Sequence, residues 1–282
     1  MCVTLAAIAT SFLKIVGFRG ASADITATAT GLGSTLLDFT TLGLAVGQWL
    51  KIGGTTGAGA GESFATAALN TYVRISAAPT ATTLTLDNLP AAWTTDSGTG
   101  KTITVYLADY VRVGSTITGN SFSIETTHTD QTSPTYFVDT GNIVNTFTLS
   151  CPTQDKVTCS FEFMGMSGSE GTSGISGATY VAAPTTDIIY NSSSNASRIS
   201  EGGSVLAMPN GVTEFSLNIT NNLRELTTVG YSEAQGIGTG QCAVTGNLTT
   251  YFGSLAIYTK AKALTTTSAN LILTNSTKAY VF

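Results

Sequence analysis

The feature that most constrains this chain is alternation. In Phe122-Ser123-Ile124, in Val157-Thr158-Cys159-Ser160-Phe161-Glu162-Phe163 and in Phe215-Ser216-Leu217-Asn218-Ile219, every second residue is apolar and those between are polar or charged. A period of two sends the two sets to opposite faces of a pleated strand, whereas a helix needs apolar residues at i, i+3 and i+4. The β-branched and aromatic residues in these windows favour the same answer. Each segment is predicted to be a strand with one face in water, and the chain as a whole to be mainly all-β.

The texture changes between Leu36 and Val113. Trp49-Leu50-Lys51-Ile52, Tyr72 to Ile75, Leu84-Thr85-Leu86 and Ile103 to Leu107 read as short strands separated by Gly- and Pro-containing turns. That spacing suggests a small barrel or sandwich. Residues 36–113 are therefore expected to form a compact insert between residues 1–35 and a larger domain over 114–282. Ser167 to Gly203 is dense in Ser, Gly, Asn and Thr, and is expected to be a long loop. Its scattered Ile175, Tyr180, Val181, Ile188, Ile189, Tyr190 and Ile199 are expected to anchor on a partner surface. One helix is expected after Ser254 as N-cap, over Leu255 to Ala261, with Leu255 and Tyr258 on one face and Lys260 and Lys262 near the negative end of its dipole.

Composition narrows the class further. Only 10% of the 282 residues are charged, against roughly 25% in an average soluble domain, which points to extensive burial in a core or against other copies. An apolar fraction of 42% with a mean hydropathy of +0.23 excludes intrinsic disorder. A net charge of −5 argues against a grip on nucleic acid through phosphate neutralisation, which needs clustered Lys and Arg. The apolar run from Met1 to Phe18 is broken by Thr4, Thr10, Ser11 and Lys14, too often for a spanning helix. Ala21-Ser22-Ala23 resembles a signal-peptide cleavage site, but the run lacks a basic n-region and is followed by Arg19, so a first strand and turn is the expectation.

Several motifs tempt a chemical reading. Asp96-Ser97-Gly98-Thr99-Gly100-Lys101-Thr102 looks like a phosphate-binding loop, but position 95 is Thr where the motif needs Gly, and a strand-like run follows where it needs a helix; a hairpin turn is expected. Gly236-Ile237-Gly238-Thr239-Gly240 lacks the dinucleotide spacing and is read as a bend. His128, the sole histidine, has no nucleophile elbow to serve and reads as a solvated turn residue. Glu125 with Asp130 is the kind of acid pair that any chain with 17 carboxylates offers. The sequons at Asn191, Asn195, Asn218, Asn247 and Asn275 follow from the abundance of Thr and Ser. The cysteines Cys2, Cys151, Cys159 and Cys242 lack zinc-site spacing. A hairpin about Pro152 to Thr158 places Cys151 and Cys159 opposite one another as a possible pair, and two reduced, half-buried thiols are the alternative carried forward.

The order of motifs in the second half carries a resemblance. Gly119-Asn120-Ser121-Phe122-Ser123-Ile124-Glu125, Tyr136-Phe137, Gly141-Asn142-Ile143-Val144-Asn145 and the Val157 to Gly165 strand are followed by Asn221-Asn222-Leu223-Arg224, Val229-Gly230, Gly236 to Gly240, Val244-Thr245-Gly246, Tyr251-Phe252 and Leu255 to Lys260. Together they resemble the core of the major tail tube proteins of long-tailed, siphovirus-type double-stranded DNA bacteriophages, over about residues 114 to 282. Asp38-Phe39, Gly43, Gly47-Gln48-Trp49-Leu50 and Gly53-Gly54 are similar to a small β-domain inserted in some of these proteins.

The resemblance implies a β-sandwich-like barrel with one flanking α-helix, to which residues 1–35 contribute, and an inserted small β-domain on the tube exterior. It implies hexameric rings stacked helically into a tail tube for DNA ejection. Its partners are further copies of the chain and other tail proteins such as tape measure, tail tip and terminator proteins, with double-stranded DNA passing without adhesion. The location implied is the virion tail, assembled in the cytoplasm of the bacterial host. It implies no enzyme, no catalytic residue, no cofactor, no metal and no membrane binding. The alternative is a Thr-rich β adhesin or carbohydrate-binding surface protein; a secreted β hydrolase and a contractile or secretion-system tube are further rivals.

Overall fold

The computed structural model describes residues 16–53, 62–107, 119–183, 185, 189–275 and 279–282. The described residues hold nineteen strands and one α-helix. They fall into two compact units, one containing residues 16–107, 190–213 and 248–282, the other 119–189 and 214–247.

The first seven strands are β1 (Val16–Arg19), β2 (Thr26–Thr28), β3 (Gly31–Gly33), β4 (Trp49–Ile52), β5 (Tyr72–Ile75), β6 (Thr83–Asp87) and β7 (Thr104–Leu107). They make one sheet in the order β1-β7-β4-β5-β6-β3-β2, antiparallel at every pairing. Burial alternates along β5 and β6 as a period-two pattern requires. Ile25, Leu32, Phe39, Leu50, Ile52, Val73, Ile75, Leu84, Ile103 and Val105 form its shared apolar core. The sheet runs through residue 35, where the sequence placed a boundary, because β1 pairs with β7 and β3 pairs with β6. Gly31 permits the second pairing: a Cβ there would lie 2.0 Å from the Leu84 carbonyl oxygen. Of residues 1–15, expected to open the chain as a strand, none is among the described ones.

Lys51 sits inside this sheet. Its ammonium donates to the carbonyls of Ile52 and Asn70, each at 2.8 Å, and lies 5.5 Å from the centre of the Tyr72 ring. Burial pushes its pKa down to about 8.

In chain order there follow β8 (Phe122–His128), β9 (Thr135–Pro152), β10 (Thr158–Met164), β11 (Ser167–Gly171), β12 (Ala196–Glu201), β13 (Ser204–Val205), β14 (Val212–Thr220), β15 (Arg224–Leu226), β16 (Gly236–Gly238), β17 (Ala243–Thr250), α1 (Leu255–Lys262), β18 (Ala269–Thr274) and β19 (Ala279–Val281). The 18-residue β9 is the spine of the second unit. Its first half runs between β8 and β11, its second half between β10 and β14. The handover falls at Gly141, which has φ +68° and leaves no room for a Cβ beside the Met166 side chain. Asn142, next in line, donates to the carbonyls of Asp139 and Phe122. Asn221 donates to the Val144 carbonyl, and Asn145 accepts from the Leu223 amide. The Gly-Asn and Asn-Asn-Leu motifs thus lock the kinked spine to the end of β14.

Within residues 167–203, expected to be one long loop, the ends are strands: β11 pairs with β9 and β12 pairs with β18. Gly236 to Gly238, expected to bend, pairs as β16 with β15. In both places the partner strand supplies what the composition lacks. The helix spans Leu255–Lys262, with Ser254 extended at its N-cap position. The Ser254 hydroxyl does not cap the helix; it accepts from the Asn210 side chain at 3.1 Å.

The smaller sheet β13-β12-β18-β19 belongs to the same unit as the seven-stranded one. Polar groups join the two. Asn270 donates to the Asn88 side chain at 2.8 Å with both residues buried, Arg74 spans Asp87 in a two-bond fork and reaches Ser268, and Arg198 donates to the Tyr72 carbonyl. Removing a buried donor strands its acceptor at a cost of about 1–3 kcal/mol. Asn270→Ala should therefore lower the urea midpoint of this unit with an unchanged denaturant slope; an unchanged midpoint would show that the amide pair contributes nothing.

Candidate assembly surface

The registers of β10, β9 and β14 sort their side chains into two unlike faces. Phe161 lies opposite Phe147 and Phe163 opposite Val144; Leu217 lies opposite Leu149 and Phe215 opposite Cys151. All of these share one face. The other carries Ser160, Glu162, Thr146, Thr148, Ser150, Glu214, Ser216, Asn218 and Thr220. That second face has hydroxyls, an amide and two carboxylates, and no Lys or Arg. Asn218 and Thr148, directly opposite, are joined by a 3.2 Å hydrogen bond. A bulge between Glu162 and Phe163 keeps the apolar set aligned.

The sheet also has free ends. In the path β10-β9-β14-β17, the outer edges of β10 and β17 have no partner strand among the described residues. Exposed edges of this kind template pairing with another chain unless they are blocked.

Charge is distributed unevenly. The unit of residues 119–189 and 214–247 holds nine described carboxylates against two cations, Lys156 and Arg224. The other unit is near balance, with six described carboxylates and seven Lys or Arg.

An aromatic row crosses the apolar face. Phe122 meets Phe163 edge-on at 6.1 Å, Phe163 lies 6.5 Å from Phe161, and Phe161 lies 5.1 Å from the buried Phe147. The first three rings are roughly two-fifths exposed, at 38%, 43% and 40%.

Glu125 does something the sequence did not reveal. Its carboxylate accepts from the Ile175 amide at 2.7 Å and from the Tyr180 hydroxyl, pinning the segment after β11 onto β8. These bonds, the Ile175 amide first, hold its pKa below the ordinary value of 4.5. Of the other expected anchors, Tyr180, Val181 and Ile189 are exposed, Tyr190 stacks edge-on with Tyr280 at 5.5 Å, Ile199 lies opposite Leu271 in β12, and Ile188 lies outside the described residues.

The remaining tempting residues are scattered. Asp96 to Lys101 forms a turn in which Asp96 accepts from the Gly98 amide, with Gly98 and Gly100 at positive φ. His128 ends β8, exposed, with its ring edge-on to Phe137. Cys151, Cys159 and Cys242 are free thiols; Cys159 lies opposite Leu149, two residues out of register with the buried Cys151. Cys2 lies outside the described residues. Among the described residues no cluster of three His, Cys, Asp or Glu could hold a metal, and no helix is long and apolar enough to cross a membrane.

A family model described as "Phage tail tube protein" matches residues 6–282. No curated protein matches the chain.

The Glu125 latch has a defined pH signature. A carboxylate whose folded pKa is depressed contributes above its unfolded pKa and loses that contribution as pH falls through the folded one. The protection factor of the Ile175 amide, its exchange rate compared with that of an unstructured peptide at the same pH, should be high near neutrality and fall below the ordinary pKa of 4.5. Glu125→Gln should abolish that fall; a protection factor independent of pH in the parent protein would refute the latch.

Proposed function

The chain belongs to the phage tail tube protein family, and from that premise we propose that it assembles as hexameric rings stacked helically into the siphovirus tail tube, the conduit for DNA ejection. It is a structural, non-enzymatic component of the virion tail. The observation that carries the reading is the four-stranded path β10-β9-β14-β17, open at both edges among the described residues and free of cations on the polar face of β10, β9 and β14. In the proposed ring, the β10 edge of one copy pairs with the β17 edge of the next. Such a contact is heterologous, and it closes when the rotation per copy divides the circle. The polar face then lines the lumen and the apolar face points into the wall.

DNA passing such a wall meets hydroxyls, amides and carboxylates. A wall of Lys and Arg would hold the phosphates through counterion release, and a carboxylate-bearing one gives no such purchase. The surplus of carboxylates in the unit that contains this sheet supports the same assignment. In this reading the seven-stranded sheet, which holds the described strands of the region 36–113, lies on the tube exterior. The tube assembles in the bacterial cytoplasm and engages tape measure, tail tip and terminator proteins.

Purified protein should form tubes whose end views in electron micrographs show six-fold rings. Thr148→Lys with Ser216→Lys adds two cations per copy to the proposed lumen face and alters no core residue. Tubes should still form, DNA release from virions carrying the variant should slow, and added salt should restore part of the rate. Release at the parental rate would remove the lumen assignment. A peptide tag in the exposed turn at Thr80-Ala81 should be reached by antibody on intact tubes, and shielding of the tag would place that sheet inside the wall.

A further inference from the structure

Asn210-Gly211 is the one Asn-Gly dipeptide in the sequence. It lies between β13 and β14, beside the segment that leads into α1. Its backbone is fastened on both sides: the Asn210 amide donates to the Ala207 carbonyl, and the Gly211 carbonyl accepts from the Tyr251 amide, each at 2.9 Å. The Asn210 side chain is fastened as well, accepting from the Gly253 amide and donating to the Ser254 hydroxyl, both at 3.1 Å. The Gly211 N–H, by contrast, donates to no acceptor among the described residues. All of these residues belong to one unit, so the arrangement is complete within it.

The fold asks for both members of the dipeptide. A carboxamide supplies the acceptor and the donor that the bonds to Gly253 and Ser254 use. A Cβ on residue 211 would meet the Met208 Sδ at 2.9 Å. Yet asparagine is a labile side chain, open to attack by the next backbone nitrogen, and glycine, with no Cβ, gives that nitrogen the freest approach. We propose that Asn210 is a self-acting deamidation site and that its bond to Ser254 sets the rate. Gly211 N gives up its proton to solvent and bonds to Asn210 Cγ; the Cγ–Nδ2 bond breaks, and the nitrogen takes a proton and leaves as ammonia. Water then opens the five-membered imide. Cleavage between Gly211 N and Cγ yields aspartate, and cleavage between Gly211 N and the Asn210 main-chain carbon yields isoaspartate. Nothing is oxidised or reduced. Ring closure needs Cγ aligned on Gly211 N, and the departing Nδ2 forfeits its bond to Ser254, so that bond adds to the barrier. The aspartate product keeps the tie, because the Ser254 hydroxyl can turn from acceptor to donor. A virion does not replace its subunits, so conversion accumulates with the age of the particle and adds a negative charge to each converted copy.

The purified full-length chain, held in mildly alkaline buffer at body temperature, tests this. Mass spectrometry of the tryptic peptide Ile199–Arg224, with its aspartate and isoaspartate forms separated by chromatography, should show conversion at Asn210 ahead of every other asparagine of the chain. Ser254→Ala should speed that conversion roughly two- to tenfold, the effect of one neutral hydrogen bond on a barrier. Ser254→Thr keeps the hydroxyl and should age at the parental rate. The other asparagines should convert equally in all three proteins, which separates loss of the bond from loss of the fold. An Asn210 that stays intact in the folded chain over the time in which the urea-unfolded chain converts would overturn the site, as would another asparagine converting first. Ser254→Ala ageing at the parental rate, or speeding every asparagine alike, would overturn the control by Ser254.

Discussion

The second unit depends on the hydrogen bonding of both edges of one strand. β9 has partners on either side along its length, and it changes both of them near Gly141. Four strands take their register from it directly and β17 takes its own through β14. A slip of one residue in β9 would turn Val144, Phe147 and Leu149 onto the polar side and Thr146 and Thr148 into the apolar one. The asparagines at 142, 145 and 221 matter for that reason: they fasten the kink, so the two halves cannot slide independently.

Much of this was legible in the sequence, and where it was not the cause is specific. The strands at 122–128, 158–164 and 212–220 declared themselves because apolar and polar residues alternate along them, which sends the two sets to opposite sides of the sheet. The helix over Leu255–Lys262 was equally readable from its composition, yet its N-terminal chemistry was not, since the Ser254 hydroxyl is taken by Asn210, a residue 44 positions earlier. β11, with the sequence Ser-Gly-Ser-Glu-Gly, has no strand propensity and exists because β9 offers it an edge. The membership of residues 16–33 in the seven-stranded sheet was hidden for the same reason: pairing with β6 and β7 is a long-range event that local texture does not record.

The candidate assembly surface was half visible. Its apolar and polar sets follow from alternation alone, but which strands end the sheet depends on pairing order. Lys51 illustrates the limit from the other side, because nothing around it in the sequence distinguishes a lysine held between two backbone carbonyls from one in solvent.

The polar face of β9, β10 and β14 is defined by what it leaves out. Its Thr, Ser and Asn side chains are near-equivalent in size and in hydrogen-bonding capacity, so exchange among them alters neither register nor charge. Natural variation should therefore run freely through these positions while avoiding Lys and Arg. The lineage would preserve a sign of charge and a period of two, and let the individual letters drift until little pairwise identity remained.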